Sequence, residues 1–301
     1  MTGSIRIELH TAARVLLDEH GPAIAAAKAD GELLLGILHR LREAPSPTGG
    51  DGAFAVAFAN GVPAAIAAVT APSRGIVLAL VSESERALEA LAERFHRDGV
   101  ELRVVLGPTA AVVPFAARFA ARARVALRTT RLMLAHELHA VRTPSAPAGR
   151  ARLATAGDSE LVVRWAAAFA EAVGNDPRDS PRRITTNLAA SDVMLWDDDG
   201  PASMAAIVRR TPRSASIAFV YTPEERRGRG YASALVAALS QRELDAGCEW
   251  CSLFTDSENE TTSRIYRSIG YEPRSEYREI WLSSAARPDA SPGSSARSAS
   301  S

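Results

Sequence analysis

Apolar positions between residues 150 and 283 change their spacing several times along the chain. The segment "SELVVRWAAAFAEAVG" has apolar residues at helical spacing, whereas "SASIAFVYT" has the nearly continuous apolar centre of a strand buried on both faces. The turn residues Asp198, Asp199 and Gly200 divide "DVMLWDDDGPASMAAIVRR" into a hairpin. Taken together, the pattern predicts the element order β-α-α-β-β-β-α-β-α-β.

Residues 1–140 repeat this order approximately, with little sequence identity between the halves. Two helical segments precede a hairpin around Asn60 and Gly61, and alternating strands and helices follow. Similar element orders also arise by chance in α/β proteins, so the repeat is a hypothesis. We expect an α/β (α+β) fold with two tandem domains, each a mixed, mostly antiparallel twisted sheet flanked by helices.

Composition also divides the chain near residue 145. All four Trp and all five Tyr follow residue 150, and all six His precede it. The segment "VRTPSAPAGR" has the Pro, Ser and Gly content of a linker, and the C-terminal residues are small and polar. The predicted division is a first domain at 1–140, a linker at 141–149, a second domain at 150–283 and a disordered tail at 284–301.

Charge and apolar patterning exclude several classes of protein. The net charge is zero, which argues against a non-specific nucleic-acid binder. We find no uncharged run of about 18 residues and no signal peptide, so we expect a cytoplasmic protein without a membrane partner. The pair Cys248 and Cys251 would face opposite sides of a strand, and "HELH" (136–139) lacks the spacing of a zinc motif, so we expect no metal. The oligomeric state stays open.

The stretch "RRGRGYASAL" (226–235) lies between a predicted strand and a predicted helix. Gly228 and Gly230 allow close approach of a ligand to the backbone, and free amides at a helix start attract anions. Three arginines, Arg226, Arg227 and Arg229, add positive charge. These features favour a diphosphate over a carboxylate.

Two familiar phosphate motifs do not fit, and a structural alternative is open. A P-loop needs Gly-Lys-Ser/Thr, which is absent, and a dinucleotide fingerprint needs Gly or Ala where Ser233 stands. The alternative is a solvated basic helix start, with Thr222 and Glu225 as a capping box.

The segment Arg227–Ala232 resembles the Arg/Gln-x-x-Gly-x-Gly/Ala signature of the GNAT (GCN5-related) acyltransferases. "NETTSRIYRSIGYEP" is similar to a second GNAT motif, in which an Asn precedes a Tyr by two helical turns. The resemblance covers roughly residues 150–282 and looks closest to the branch that includes the C-terminal half of glycine N-acyltransferases. In that branch a degenerate GNAT-like half often comes first, as the repeat suggests here.

This resemblance implies acetyl-CoA as the donor of an acetyl group to a primary amine, which belongs to a small molecule or a protein. Its pyrophosphate would lie on the amides of residues 228–233, and its pantetheine arm would pair with strand backbone. An extra residue between Val220 and Arg227 means that the pantetheine assignment can shift by one position. The implied donor-binding residues are Phe219, Val220, Tyr221, Arg227, Gly228, Arg229, Gly230, Tyr231, Ala232, Ser233 and Asn259. Both motifs follow Arg150, so we expect the second domain alone to bind acetyl-CoA.

Amine attack on a thioester requires a base for the amine and an acid for the departing thiolate. Tyr266 stands where GNATs place their general acid; the alternative is a core aromatic residue. The second domain has no His, and the candidates for the base are weak. They are Glu171, beside the loop "VGNDPRDSP" (173–181) that would border the acceptor, and Asp256, which follows a predicted strand. Each also fits a solvated or capping carboxylate. A non-catalytic module that binds and senses acyl-CoA is the alternative function.

Overall fold

The structure is a computed structural model that describes residues 4–43, 53–70, 75–145 and 147–284. Its first half contains β1 (Ile5–His10), α1 (Ala13–Ala26), α2 (Ala29–Glu43), β2 (Ala53–Ala59), β3 (Val62–Thr70), β4 (Gly75–Leu80), α3 (Glu85–Arg97), β5 (Val104–Pro108), α4 (Thr109–Ala123) and β6 (Val125–Leu138).

The second half contains β7 (Arg150–Leu153), α5 (Ser159–Ala172), α6 (Ser180–Ala189), β8 (Val193–Asp197), β9 (Pro201–Arg210), β10 (Ser214–Tyr221), α7 (Tyr231–Asp245), β11 (Trp250–Asp256), α8 (Glu260–Ile269) and β12 (Glu272–Ser284). Both halves therefore have the same order of strands and α-helices, and the predicted fold class is confirmed. Strand β1 is not among the predicted elements, although Ile5 and Ile7 alternate with polar residues there.

All twelve strands in the described residues join one sheet, in the order β1-β2-β3-β4-β5-β12-β6-β11-β10-β9-β8-β7. Two pairings are parallel, β4 with β5 and β10 with β11, and the others are antiparallel. The order is symmetric about the pair β12 and β6, so an approximate two-fold axis relates the halves.

The halves exchange their last strands. β12, the last strand of the second half, pairs with β5 of the first half, from Tyr277 opposite Pro108 to Trp281 opposite Val104. β6, the last strand of the first half, pairs with β11 of the second half. The two exchanged strands also pair with each other over almost their full length. The proposed boundaries at 140 and 150 therefore separate the two runs of elements, but the sheet runs across them.

The cores reflect this exchange. In the first half, α3 and α4 cover one face of the sheet, and Ile280 and Leu282 of β12 are buried among their side chains. In the second half, α7 and α8 cover one face, and Leu138 of β6 joins their apolar cluster. Helices α1 and α2, and α5 and α6, form the two remaining clusters. Three of these four clusters therefore include side chains from the other half, and the cluster under α5 and α6 does not.

Helix α2 also contacts the second half directly. Glu32 accepts a hydrogen bond from the hydroxyl of Ser214, and the hydroxyl of Tyr277 donates to the carbonyl oxygen of Ala29 at 2.6 Å. A Cβ atom at Gly36 would lie 3.0 Å from the Cδ of Arg209, so glycine lets the helix pack closely there. Burial lowers the pKa of Arg209 to about 10 and raises the pKa of Glu32.

The outer limits of the second half differ slightly from the prediction. Ser284 is the last residue of β12, and the rest of the predicted tail lies outside the described residues. In the predicted linker, the carbonyl oxygen of Ala148 accepts a hydrogen bond from Trp196 Nε1 at 2.8 Å. None of the helices in the described ranges has the length and apolarity needed to span a bilayer.

The exchange leads us to expect that residues 147–301 do not fold alone, because this fragment lacks β5 and β6. Strand β12 then loses both of its partners, and β11 keeps only its short pairing with β10. Co-expression with residues 1–146 should restore the sheet, and the two fragments should purify together as a complex. The measurements are co-purification and a cooperative thermal melt by circular dichroism. A monomeric fragment 147–301 with a cooperative melt would contradict this expectation.

Candidate active site

The two central parallel strands of the second half separate partway along their length. β10 pairs with β11 at Ser214–Ser216, opposite Trp250–Ser252, and no pairing between them follows in the described chain. Between Ala218 and Tyr221, β10 also changes register with β9. The strands therefore diverge, and the backbone after Ser216 is free of β11.

Phe219 lies at this divergence with a left-handed backbone, φ 53°. For a residue with a Cβ atom this conformation costs roughly 1–2 kcal/mol. The side chain is buried, its ring centroid lies 5.4 Å from that of Phe169, and the guanidinium of Arg183 lies 5.5 Å from its centroid. Burial of a Phe side chain stabilises by about 1.5–3 kcal/mol, which offsets the strain and keeps the strand bent.

The Arg/Gly turn follows β10 and leads into α7. Gly228 and Gly230 have φ values of 77° and 83°, and Gly230 is the N-cap of α7. No side chain caps this helix, so the amides of its first turn, residues 231–233, have no intrahelical partner. A Cβ atom at either glycine would have no atom within 4 Å, so the space in front of the turn is open.

The capping-box alternative is wrong. Helix α7 begins at Tyr231, and a separate 3₁₀ turn occupies Glu224–Arg226 with Pro223 as its N-cap. The hydroxyl of Thr222 instead lies 2.9 Å from that of Ser203. The first amides of α7 are therefore not capped by a side chain, as they would be in the alternative interpretation.

The three arginines have different roles. Arg227 donates from Nε to the carbonyl oxygen of Thr222 at 3.0 Å and pairs with Glu224 at 3.3 Å. Arg226 donates to the carbonyl oxygen of Asp198 at 3.4 Å. Arg229 is exposed and makes no ion pair within the described residues. Two arginines thus stabilise the turn, and the third is free to meet an anion.

Asn259 lies at the start of α8, and Tyr266 lies within this helix. The helix begins at Glu260, and Asn259 is its N-cap, with Oδ1 accepting from the amide of Thr262 at 3.0 Å. Asn259 therefore precedes the helix that carries Tyr266, and its side chain caps the start of that helix. The side-chain NH₂ of Asn259 remains exposed and able to donate to a ligand.

Tyr266 lies in the same apolar cluster as Ile217 of β10 and Leu253 of β11. It keeps 8% of its surface exposed, and its ring packs edge-on against Tyr271, with centroids 5.9 Å apart. The hydroxyl of Tyr271 is bonded to that of Ser240, whereas the hydroxyl of Tyr266 bonds to no described residue. Burial raises the pKa of Tyr266 above its ordinary value, so the phenol stays protonated and can donate.

Comparisons with known proteins agree with this geometry. Residues 196–282 match a family model described as FR47-like protein. Three solved structures are similar over nearly the whole chain. The first is a GCN5-related N-acetyltransferase from Sphaerobacter thermophilus, with 19% identity, a TM-score of 0.58, and coverage of 91% of this chain and 94% of that chain. The second is a Drosophila protein, with 13% identity, a TM-score of 0.66, and coverage of 92% and 98% of the two chains. The third is a tandem GNAT protein from the clavulanic acid biosynthesis pathway, with 13% identity, a TM-score of 0.52, and coverage of 92% and 98%.

This chain has a tandem GNAT fold. The fold supports acyl transfer in general, and the FR47-like match lies in the half that carries the Arg/Gly turn and Tyr266. A search of curated proteins finds no match. The suggested relation to the glycine N-acyltransferase branch stays a prediction.

Several residues of the GNAT motif pack into the fold instead of facing the open turn. Tyr231 is buried, and its hydroxyl donates to the carboxylate of Asp198, which ties the start of α7 to the turn between β8 and β9. Ala232 and Ser233 are half-buried on the first turn of the helix. For these residues, only the backbone amides are placed to meet a ligand.

The two base candidates of the GNAT half are both exposed. Glu171 lies near the end of α5, and Asp256 ends β11. Asp256 Oδ1 accepts from the amide of Glu258 at 2.9 Å. This contact fits the alternative role of a carboxylate that bonds to nearby backbone. No hydrogen bond in the described residues joins either carboxylate to Tyr266, so their role as base stays a prediction.

Arg131 is a residue near the GNAT site that sequence reasoning missed. It lies on the exchanged strand β6 and donates to Asn175 Oδ1 at 3.0 Å and to the carbonyl oxygen of Val173 at 2.7 Å. These contacts hold the loop after α5, which the sequence analysis placed at the border of the acceptor. No sequence pattern predicts this contact, because it depends on the exchange.

The cysteine and histidine pairs do not form a site in the GNAT fold. Cys248 precedes β11 and Cys251 lies within it, and both are free, with burial raising the pKa of Cys251 to about 12. His136 is buried with Nδ1 at 3.1 Å from the carbonyl oxygen of Leu134, whereas His139 is exposed beyond the end of β6.

We expect Gly230→Val to lower the affinity for coenzyme A more than about tenfold, because a side chain would occupy the space in front of the free amides. Gly247→Val is the matched control. Gly247 follows the other end of α7, also has a positive φ of 102°, and also has open space around it. Backbone strain is therefore similar in both variants.

The measurement is isothermal calorimetry with coenzyme A on both variants, after thermal melts have compared their stabilities. Only Gly230→Val should lose affinity, while both should lose similar stability. Equal affinities in the two variants would show that the amides at the start of α7 do not bind the ligand.

Proposed function

We propose that the second half of the chain transfers an acetyl group from acetyl-CoA to a primary amine of a small molecule or a protein. The observation that carries this proposal is the free backbone of β10 beside the uncapped start of α7. A strand edge can pair with the amides of a pantetheine arm, and a helix start binds a diphosphate. The two features follow each other along the chain, as the two parts of coenzyme A do.

In this proposal, the pantetheine arm pairs with the backbone of Phe219, Val220 and Tyr221, beyond the point where β11 diverges. The pyrophosphate lies on the amides of residues 228–233, and Arg229 contributes an exposed positive charge. Asn259 lies at the start of α8 with its NH₂ group free to donate. Acetyl-CoA is a co-substrate here, and the proposed transfer needs no metal.

The proposed reaction is direct attack of the amine nitrogen on the thioester carbonyl carbon. A C–N bond forms and the C–S bond breaks, so the amine must lose a proton and the thiolate must gain one. Tyr266 supplies the proton to sulfur, since burial keeps its phenol protonated and its hydroxyl is not bonded to any of the described residues. The amine proton leaves to water or to Glu171 or Asp256.

The described residues of the first half show no equivalent site for acetyl-CoA. Its strand β4 leads into α3 through "VSESERALEA", and the hydroxyl of Ser84 accepts from the amide of Ala87 at 3.3 Å. In α3 this side chain therefore accepts from an amide of the first turn, whereas the corresponding amide of α7 has no side-chain partner. We therefore assign the first half a supporting role, in which Arg131 of β6 positions the loop that borders the acceptor.

A non-catalytic module that senses acyl-CoA is the second candidate function, and the exposure of both carboxylates favours it. Turnover separates the two candidates. The experiment is release of coenzyme A from acetyl-CoA against a library of amines, with mass detection of the acetylated product. Binding of acetyl-CoA without turnover on any amine would favour the sensor.

We expect Tyr266→Phe to lower turnover about a hundredfold and to leave acetyl-CoA affinity nearly unchanged, because only the proton for the thiolate is lost. The matched control is Tyr271→Phe, which removes a hydroxyl bonded inside the core. It should lower stability and retain the rate. Steady-state kinetics with one acceptor and calorimetry with acetyl-CoA measure both effects.

The raised pKa of Tyr266 also sets the pH dependence. The acid form persists above the ordinary phenol value of 10.0, so the parent should not lose rate through Tyr266 ionisation up to about pH 10. A Tyr266→Phe variant that turns over like the parent would mean that Tyr266 is a core aromatic residue and that the acid lies elsewhere.

We expect Arg131→Ala to raise the KM for the acceptor about tenfold while the KM for acetyl-CoA stays the same. The substitution removes two hydrogen bonds to the loop after α5, each from a charged donor. Arg128→Ala is the control, because Arg128 is exposed on the same strand. Equal acceptor KM values in both variants would refute a positioning role for Arg131.

A further inference from the structure

A group of metal-ligating side chains lies in the first half, outside the proposed acetyltransferase site. Glu8 and His10 share one face of β1, because side chains two residues apart on a strand point to the same side. Glu19 and His20 lie on α1, which follows β1 after a short connection. One potential ligand atom each from Glu8, His10 and His20 lies within 4.8 Å of the others.

The distances within this group are longer than hydrogen bonds. His20 Nε2 lies 3.7 Å from Glu8 Oε2 and 3.9 Å from Glu19 Oε2, and His10 Nδ1 lies 3.8 Å from Glu19 Oε2. Ligand atoms around a tetrahedral Zn²⁺ are about 3.3 Å apart, given metal–ligand bonds of about 2.0–2.1 Å. Small side-chain rotations would therefore bring Glu8, His10 and His20 to coordinating distance. Glu19, whose Oε2 atom lies near both rings, can supply a fourth ligand.

The two histidines have unsatisfied nitrogen atoms. Their side chains are only 8% (His10) and 11% (His20) exposed, and the Nε2 atom of each is buried without a hydrogen-bond partner in the described part of the chain. Buried polar atoms in folded proteins are almost always partnered, so two neighbouring exceptions indicate a missing ligand. Two acceptor nitrogen atoms cannot form a hydrogen bond with each other. A divalent cation can accept a lone pair from each ring.

The electrostatic setting suits a cation. The two imidazole rings lie beside each other, and the carboxylates of Glu8 and Glu19 lie next to them. Two carboxylates balance the charge of a divalent ion. Arg6 pairs with Oε1 of Glu8, which leaves Oε2 directed at His20.

We propose that Glu8, His10, Glu19 and His20 bind one Zn²⁺ ion. Two imidazoles and two carboxylates form a nitrogen and oxygen set that Zn²⁺ accepts in tetrahedral geometry. The ion would join β1 to α1. Because β1 is the outermost strand of the sheet and pairs only with β2 in the described residues, a metal link would stabilise that edge. This site is independent of the proposed acetyl transfer.

The test uses the full chain after removal of any affinity tag and treatment with a chelator. Titration with Zn²⁺ should give one bound ion per chain and raise the unfolding temperature, and Co²⁺ should show the intense visible absorption of a tetrahedral site. Absence of Zn²⁺ binding by the parent protein would overturn the proposal.

Variants locate the ion. His20→Gln should lower Zn²⁺ affinity at least about tenfold and remove the metal-dependent rise in unfolding temperature. Glu19→Gln changes an exposed side chain and should weaken binding without loss of folding. The control, His139→Gln, changes an exposed histidine outside the group and should bind like the parent. Parent-like Zn²⁺ affinity in both His20→Gln and Glu19→Gln would assign the ion to another site and refute the proposal.

Discussion

The pairing of β6 with β12 is the constraint on which both halves of the structure depend. It runs from Glu137 opposite Glu272 to Val125 opposite Ser284, and it joins two six-stranded halves into one sheet. Each strand also carries apolar side chains into the other half, so neither core closes without it. The same pairing brings Arg131 to the loop after α5, so the geometry near the proposed acceptor depends on a residue more than forty positions away in sequence.

The two halves show how a shared architecture acquires or lacks a binding site through a few residues. In both halves a helix joins two parallel strands, but the turn before one helix carries two glycines with positive φ, whereas the turn before the other carries a serine that caps the helix. Only the glycine turn leaves helical amides open to a ligand. The difference lies in backbone freedom and capping and not in the order of elements.

Local features of the second half followed well from its sequence. The hairpin turn at Asp198–Gly200 and the glycine turn at Gly228 and Gly230 both depend on residues close in the chain. Other features depend on distant partners. The exchange of β6 and β12, the contacts of Arg131 and the left-handed Phe219 arise from tertiary packing, which no local pattern encodes. β1 was missed because a short strand with alternating residues resembles the irregular start of a chain.

Because β12 is the last strand of the second half, the first half cannot complete its sheet until translation is nearly finished. The first half emerges from the ribosome long before residues 272–284 exist, yet its strand β5 needs β12 as a neighbour. Until then, β5 and β6 present unpaired strand edges, and the surface that receives Ile280 and Leu282 stays uncovered. Because contacts this distant in sequence form slowly, the nascent chain passes through a long interval in which it is prone to aggregation and is a natural client for chaperones.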